Sequence, residues 1–193
     1  MVIRCTSEAF LLTQKQTVIA GAFFVMCFAV VAKGSPGLWL DVPYVHQEKG
    51  GCGSASLAMI LRYWQRKNVP VADGRADPVK IQRELYAAAA KGIYASQMEH
   101  YLRESGFDVY ALRGEWSDLR TQVAKGRPLI AGLKPKGEPA HYVVIVGIAP
   151  GDDEVLENDP ERGQLIHIGR SEFEKSWLGT ENWALLAVPH RAE

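Results

Sequence analysis

Hydrophobic positions form one unbroken run near the start of the chain and a series of short periodic segments after it. From Val18 to Ala32 no charged residue occurs. Residues 38–49 read as an extended segment entering a loop at Gly50-Gly51. After Gly53-Ser54, the apolar positions Ala55, Leu57, Ala58, Met59, Ile60, Leu61, Tyr63 and Trp64 leave little polar surface. A helix over about 53–66 is therefore predicted to be buried almost all round. Asp77-Pro78 opens a second helix, an acid at the cap followed by Pro at the first helical position. Ile81, Leu85 and Ala88 supply its apolar face, and Gly92 follows its end. Ser96 and Glu99 have the spacing of a capping box, with Met98, Tyr101 and Leu102 on one face and Gly106 as the stop.

Strands dominate the second half. Phe107, Val109 and Ala111 alternate as a short strand, Ser117 to Lys125 predicts a helix ended by Gly126, and residues 128–133 predict another strand. Residues 141–148 are apolar on both faces, the pattern of a strand central in a sheet. Residues 150–153 form a turn, 154–157 a strand and Asn158-Asp159-Pro160 a break. Residues 164–169 and 183–188 read as further strands, with a short helix at 171–177. Helices first and a mostly antiparallel sheet later is an α+β order.

The uninterrupted run has a different meaning. Its fifteen residues would reach ~22 Å as a helix, short of the ~30 Å hydrocarbon core of a bilayer. Arg4 and Lys15 precede it with Glu8 as the only acid, and Ala32 offers a small residue at its end. A basic start, a short apolar core and a small residue are the parts of a secretory signal. Residues 1–34 are thus expected to be a signal peptide or an N-terminal membrane anchor, and 38–190 the folded domain. The expected location is periplasmic or extracellular, or at a membrane through that segment.

Composition narrows the function. Twenty-two basic residues balance 22 acidic ones, which argues against a nucleic-acid partner, since phosphate binding needs clustered Lys and Arg. Two of the three cysteines, Cys5 and Cys27, fall in the targeting segment, leaving Cys52 alone in the domain. No internal disulfide follows, and neither a metal nor a cofactor is expected, because the ligand spacings are missing.

Cys52 stands where chemistry is expected. A helix N-terminus and a neighbouring imidazolium both favour the nucleophilic thiolate, and Cys52 sits between a Gly-Gly loop and the buried helix. The start of that helix offers unpaired N–H groups, that of Cys52 included, to a developing oxyanion. Gln47, five residues upstream, is the candidate side-chain donor. Of the five histidines, His141 differs in beginning the central apolar strand. A hairpin turn near Pro150-Gly151 pairs residues whose numbers sum to about 300–302, which sets Asp159 opposite His141 or within one pair of it. A carboxylate behind a histidine fixes its tautomer. Asn158 is the alternative orienter, although adjacent strand residues face opposite ways.

These residues together resemble a known family. The stretches from Val42 to Gln47, Gly51 to Met59, His141 to Gly147 and Asn158 to Pro160 look like those of the bacteriocin-processing, double-glycine leader cysteine peptidases, number thirty-nine of the cysteine peptidase families, and their free-standing relatives. The resemblance runs from about Asp41 to Pro189. It implies a papain-like fold, a peptide or protein substrate, Cys52 as nucleophile, His141 as general base, Asp159 as its orienter and Gln47 as oxyanion donor. The best-known members are amino-terminal domains of ATP-driven exporters; this chain contains no Gly-x-x-x-x-Gly-Lys-[Ser/Thr] motif. Two other functions use the same features: a different acyl transfer, as in an amidase or transglutaminase, or a peptide-binding module without turnover.

Overall fold

The apolar run after Gly51 folds as helix α1, Cys52–Arg66, in a computed structural model that describes residues 37–190. The segment read as a signal or anchor lies outside those residues. Two further helices follow, α2 (Pro78–Leu85) and α3 (Ala95–Glu104), and then strand β2 (Phe107–Arg113), which is preceded by the short β1 (Leu38–Trp39). Helix α4 (Trp116–Ala124) leads into β3 (Leu129–Leu133), β4 (His141–Ile148), β5 (Glu154–Asp159) and β6 (Gly163–Gly169). Helix α5 (Arg170–Leu178) and β7 (Trp183–Pro189) complete the domain. Among the described residues no helix is long and apolar enough to cross a membrane.

The strands join in the order β2-β7-β3-β4-β5-β6, with β1 added against the end of β4, and each pairing is antiparallel. Strand β4 is interior and buried on both faces, as its unbroken apolar sequence requires. Val144 and Val146 face a core built with Leu57, Ile60 and Leu61 of α1, Ile81 of α2 and Met98 of α3. Val143 and Ile145 point the other way, onto Leu119 of α4 and Phe173 and Trp177 of α5. Fully burying a leucine or isoleucine contributes roughly 1.5–3 kcal/mol, and truncating one to alanine costs roughly 2–5 kcal/mol. Leu57, Met59 and Leu61 are all at 0% exposure, so the middle of α1 is fixed by its packing. Gly147 lets β1 cross close by: a Cβ there would lie 2.6 Å from the Leu38 carbonyl oxygen.

Several boundaries differ from expectation. Helix α2 stops at Leu85 because Tyr86 turns extended (ψ 125°), and Ala87 bridges to Gly92 across a tight turn. The alanines thus form a loop and Ala88 belongs to no helical face. Asp77 caps α2 as expected, accepting from the Val79 and Lys80 N–H groups. Helix α3 begins at Ala95, one residue before Ser96, and the side chain that reaches back to the cap is Gln97, which accepts from the Tyr94 N–H at 3.2 Å. Strand β5 runs through Asn158 and Asp159, read from sequence as a break.

Candidate active site

Loop geometry puts Cys52 at the first position of α1. Gly50 has φ +69°, a left-handed conformation that favours glycine. At Gly51 a side chain would press on the Glu48 carbonyl oxygen, 2.9 Å from a built Cβ. The Gly51 carbonyl then accepts from the Ser54 hydroxyl and the Ala55 N–H, both at 2.9 Å, which closes the first turn. Cys52 is half-buried beside N–H groups that have no carbonyl one turn back.

His141 opens β4 and Asp159 closes β5. The imidazole Nε2 donates to Asp159 Oδ1 at 2.8 Å, with the carboxylate side chain only 5% exposed. The same oxygen accepts from the backbone N–H groups of Glu161 (2.8 Å) and Arg162 (3.3 Å), so the turn after β5 holds the carboxylate still. With Nε2 engaged, Nδ1 is the nitrogen left for the thiol, and Cys52 lies within hydrogen-bonding reach of this ring. Burial works against a charged His141, yet the hydrogen bonds to Asp159 and Cys52 outweigh it and hold the ring's pKa up at about 10. Burial likewise opposes charge on Asp159, but His141 and the two backbone donors pull its carboxyl below the usual carboxylate value.

Beside the site the hairpin register lies at the upper end of the expected 300–302 range, which leaves Asp159 two positions from His141 rather than within one pair. Val144 pairs with Asn158 and Ile145 with Glu157, and the register shifts beyond Ile145 at a bulge. Continuing the pairing sets Asp159 across from Val143, two residues from His141. Two residues is one period of a strand, so the carboxylate keeps the correct face and meets the ring diagonally. Asn158, on the opposite face, is 2% exposed and structural. Its Nδ2 donates to the Val42 carbonyl and its Oδ1 accepts from the Leu165 N–H.

Gln47 is anchored through its backbone. Its backbone N–H donates to the Pro160 carbonyl at 2.8 Å, and the Tyr44 hydroxyl donates to the Asp159 and Pro160 carbonyls at 3.2 Å. The Gln47 side chain shares a cavity of about 250 Å³ with Ser54 and Ala55, residues of the first turn after Cys52. Its Oε1 is buried without a partner.

Three residues of this neighbourhood were not singled out from sequence. Tyr44 ties the loop before Cys52 to the strand end bearing Asp159. Tyr142 packs against Trp183 with ring centres 5.5 Å apart, and burial, with Cys52 beside it, pushes its hydroxyl up to about 12. Glu157 is buried on the face of β5 that carries Asp159. Only Glu157 left a sequence signal, an acid where strand alternation calls for an inward residue.

A helix that presents a cysteine at its first turn, packed on an antiparallel sheet that presents a paired histidine and carboxylate, is the papain-like cysteine peptidase fold. The chain belongs to the Peptidase_C39 like family, which it matches over residues 39–185. Solved structures agree on the fold. A Bacillus anthracis protein described as C39-like is 20% identical, with a TM-score of 0.64 over 81% of this chain and 99% of that one. A double glycine motif protease from an AMS/PCAT transporter, in complex with the leader peptide, is 24% identical (TM-score 0.58, covering 78% and 94%). The peptidase domain of Streptococcus ComA, a bi-functional ABC transporter of a quorum-sensing pathway, is 18% identical (TM-score 0.56, covering 76% and 98%). No curated protein matches the chain.

Proposed function

We propose that the protein is a cysteine peptidase that cleaves peptide bonds through Cys52, His141 and Asp159, with Gln47 as an oxyanion donor. The observation that carries this reading is the 2.8 Å bond from His141 Nε2 to Asp159, on a ring that lies near enough to Cys52 for the thiol to raise its pKa. His141 holds the thiol proton, and the thiolate attacks the peptide carbonyl. The Cys52 N–H and the Gln47 amide receive the charge that develops on oxygen. His141 then protonates the leaving amine, and water attacks the thioester to release the acyl group and regenerate Cys52. Asp159 keeps Nε2 protonated and the ring aimed throughout. Peptide as the substrate class is supported by the leader peptide bound to the double glycine motif protease.

A fluorogenic peptide pool tests this directly. Turnover is expected from the wild type and none from Cys52→Ala. A wild-type thiol that alkylates only above about pH 8, with no peptide turned over, would instead make the protein a binding module of the same fold. We also propose that the domain works outside the cytoplasm or at a membrane. The support is the uncharged run from Val18 to Ala32 behind a basic start. Mass spectrometry of the mature N-terminus after cell fractionation checks it; full-length protein in the soluble cytoplasmic fraction would refute it.

A further inference from the structure

The sheet face that carries His141 and Asp159 also walls a cavity of about 200 Å³ that the thiol chemistry leaves unused. Glu157 lines it from β5, two residues before Asp159 and on the same side of the strand. This residue is 1% exposed, and its Oε2 is buried with no hydrogen-bond partner. A buried acceptor left unpaired is costly, so such an oxygen marks a place where a donor belongs. Glu138, Glu161 and Glu172 stand around the same cavity. The cations there are His141, already held by Asp159, and Arg162, which is exposed. Burial and the Asp159 charge push the Glu157 carboxyl up to about 7, with Arg162 and His141 acting against the rise and Glu172 adding to it.

The missing partner must donate hydrogen bonds, carry positive charge and tolerate apolar walls, since Leu133, Ile168 and Phe173 supply part of the lining. Among the described residues no three metal-ligating side chains converge on one point. A charged head on an aliphatic stem satisfies all three conditions, as lysine and arginine side chains do. Position selects the half of the substrate. His141 must reach the leaving nitrogen to protonate it, so the leaving half of the peptide passes along this ring. The cavity has His141 in its wall, whereas Cys52 does not line it.

We propose that this cavity is a specificity subsite for a basic side chain, lysine or arginine, on the leaving-group half of a peptide substrate, with Glu157 as its buried counter-ion. The assignment rests on the peptidase reading above. It makes Glu157 a specificity residue of this chain, separate from the groups that perform the chemistry.

The test uses the whole domain and peptides derived from any sequence the wild type cleaves. Lys, norleucine, Arg, citrulline or Glu is placed in turn at the first three positions after the scissile bond. At one position kcat/KM for Lys over norleucine, or Arg over citrulline, is expected to be about tenfold or more. Glu157→Gln is expected to collapse that ratio to near one, with its thermal melt recorded to show that it folds. Glu172→Gln, an exposed substitution at the cavity, is expected to lower the ratio by roughly twofold. Wild-type ratios near one at all three positions, or a preference that survives Glu157→Gln, would overturn the subsite while leaving the peptidase reading intact. The two readings are separated by equilibrium titration of Cys52→Ala with the lysyl and norleucyl peptides. Tighter lysyl binding that Glu157→Gln abolishes, together with a wild type that turns over no peptide, would keep the subsite and refute the peptidase.

Discussion

The backbone N–H of Gln47 donates to the carbonyl of Pro160 at 2.8 Å, joining the loop before the candidate nucleophile to the residue after the candidate orienter. The two segments are more than a hundred residues apart in the chain, and Tyr44 doubles the link through the Asp159 and Pro160 carbonyls. One short tether therefore joins the backbone at Gln47 to the turn that follows the carboxylate holding His141. Disturbing it should misplace both at once.

Removing groups from the site should grade the response by role. Cys52→Ala is expected to abolish cleavage, because covalent catalysis ends with the sulfur. Gln47→Ala should keep a residual rate lowered by roughly 10²–10³-fold, since the Cys52 N–H remains as a donor. Steady-state kcat on a fluorogenic peptide, with the melting temperature as a folding control, separates these outcomes. An unchanged kcat in Gln47→Ala would remove Gln47 from the oxyanion site.

Asp159 and Asn158 should separate cleanly. Asp159→Asn removes the charge behind His141 and is expected to lower kcat/KM by roughly 10²–10⁴-fold. Asn158→Ala strands the Val42 carbonyl and the Leu165 N–H in the interior. It should cost roughly 2–5 kcal/mol in urea unfolding and leave the pH dependence of thiol alkylation unmoved. The reverse pattern would make Asn158 the orienter.

The ionisation of His141 predicts a pH window. Its folded pKa of about 10 lies above the ordinary 6.5, so the stability gained from the charged ring is fully present below about pH 6.5. That stability declines as pH rises toward and through the folded value. Unfolding free energies of the wild type should therefore fall on the alkaline side more than those of His141→Gln. Wild-type activity should persist well above pH 7, and its alkaline limb should move to lower pH in Asp159→Asn. An alkaline limb near the ordinary histidine value in the wild type would contradict the charged ring.

Glu157 has the opposite sign. Burial first, then Asp159, raises its pKa from 4.5 to about 7, so the protein binds a proton that the unfolded chain has released. The cost of an ionised Glu157 is absent below about pH 4.5 and fully present above about pH 7. Glu157→Gln is expected to stabilise the fold by on the order of 2–3 kcal/mol above pH 7 and by almost nothing at pH 4. Thermal melts of both proteins across that range decide it; a constant difference at all pH values would rule out the titration.

Local pattern determined a large part of this protein. The apolar sequence from Ala55 to Trp64 demanded a buried helix wherever it lay, and the two-sided apolar strand from His141 to Ile148 demanded an interior place in a sheet. The Gly-Gly-Cys order put a thiol at a helix start, because only short-range backbone geometry is involved. Period-two alternation was enough to set Asp159 on the face of His141 even though the two are not directly opposed, since an offset of two residues preserves the face. What tertiary structure alone decided are the features that depend on distant chain meeting chain. Strand β5 continues through Asn158 and Asp159 because β4 and β6 pair with it on either side, overriding the local break signal of Asp-Pro. The alanines after α2 turn back where Ala87 finds Gly92, although propensity favours a longer helix. The tether from Gln47 to Pro160 and the enclosure of Glu157 behind His141 likewise have no local cause: they arise where the loop before α1, the end of β5 and helix α5 pack around one end of the sheet.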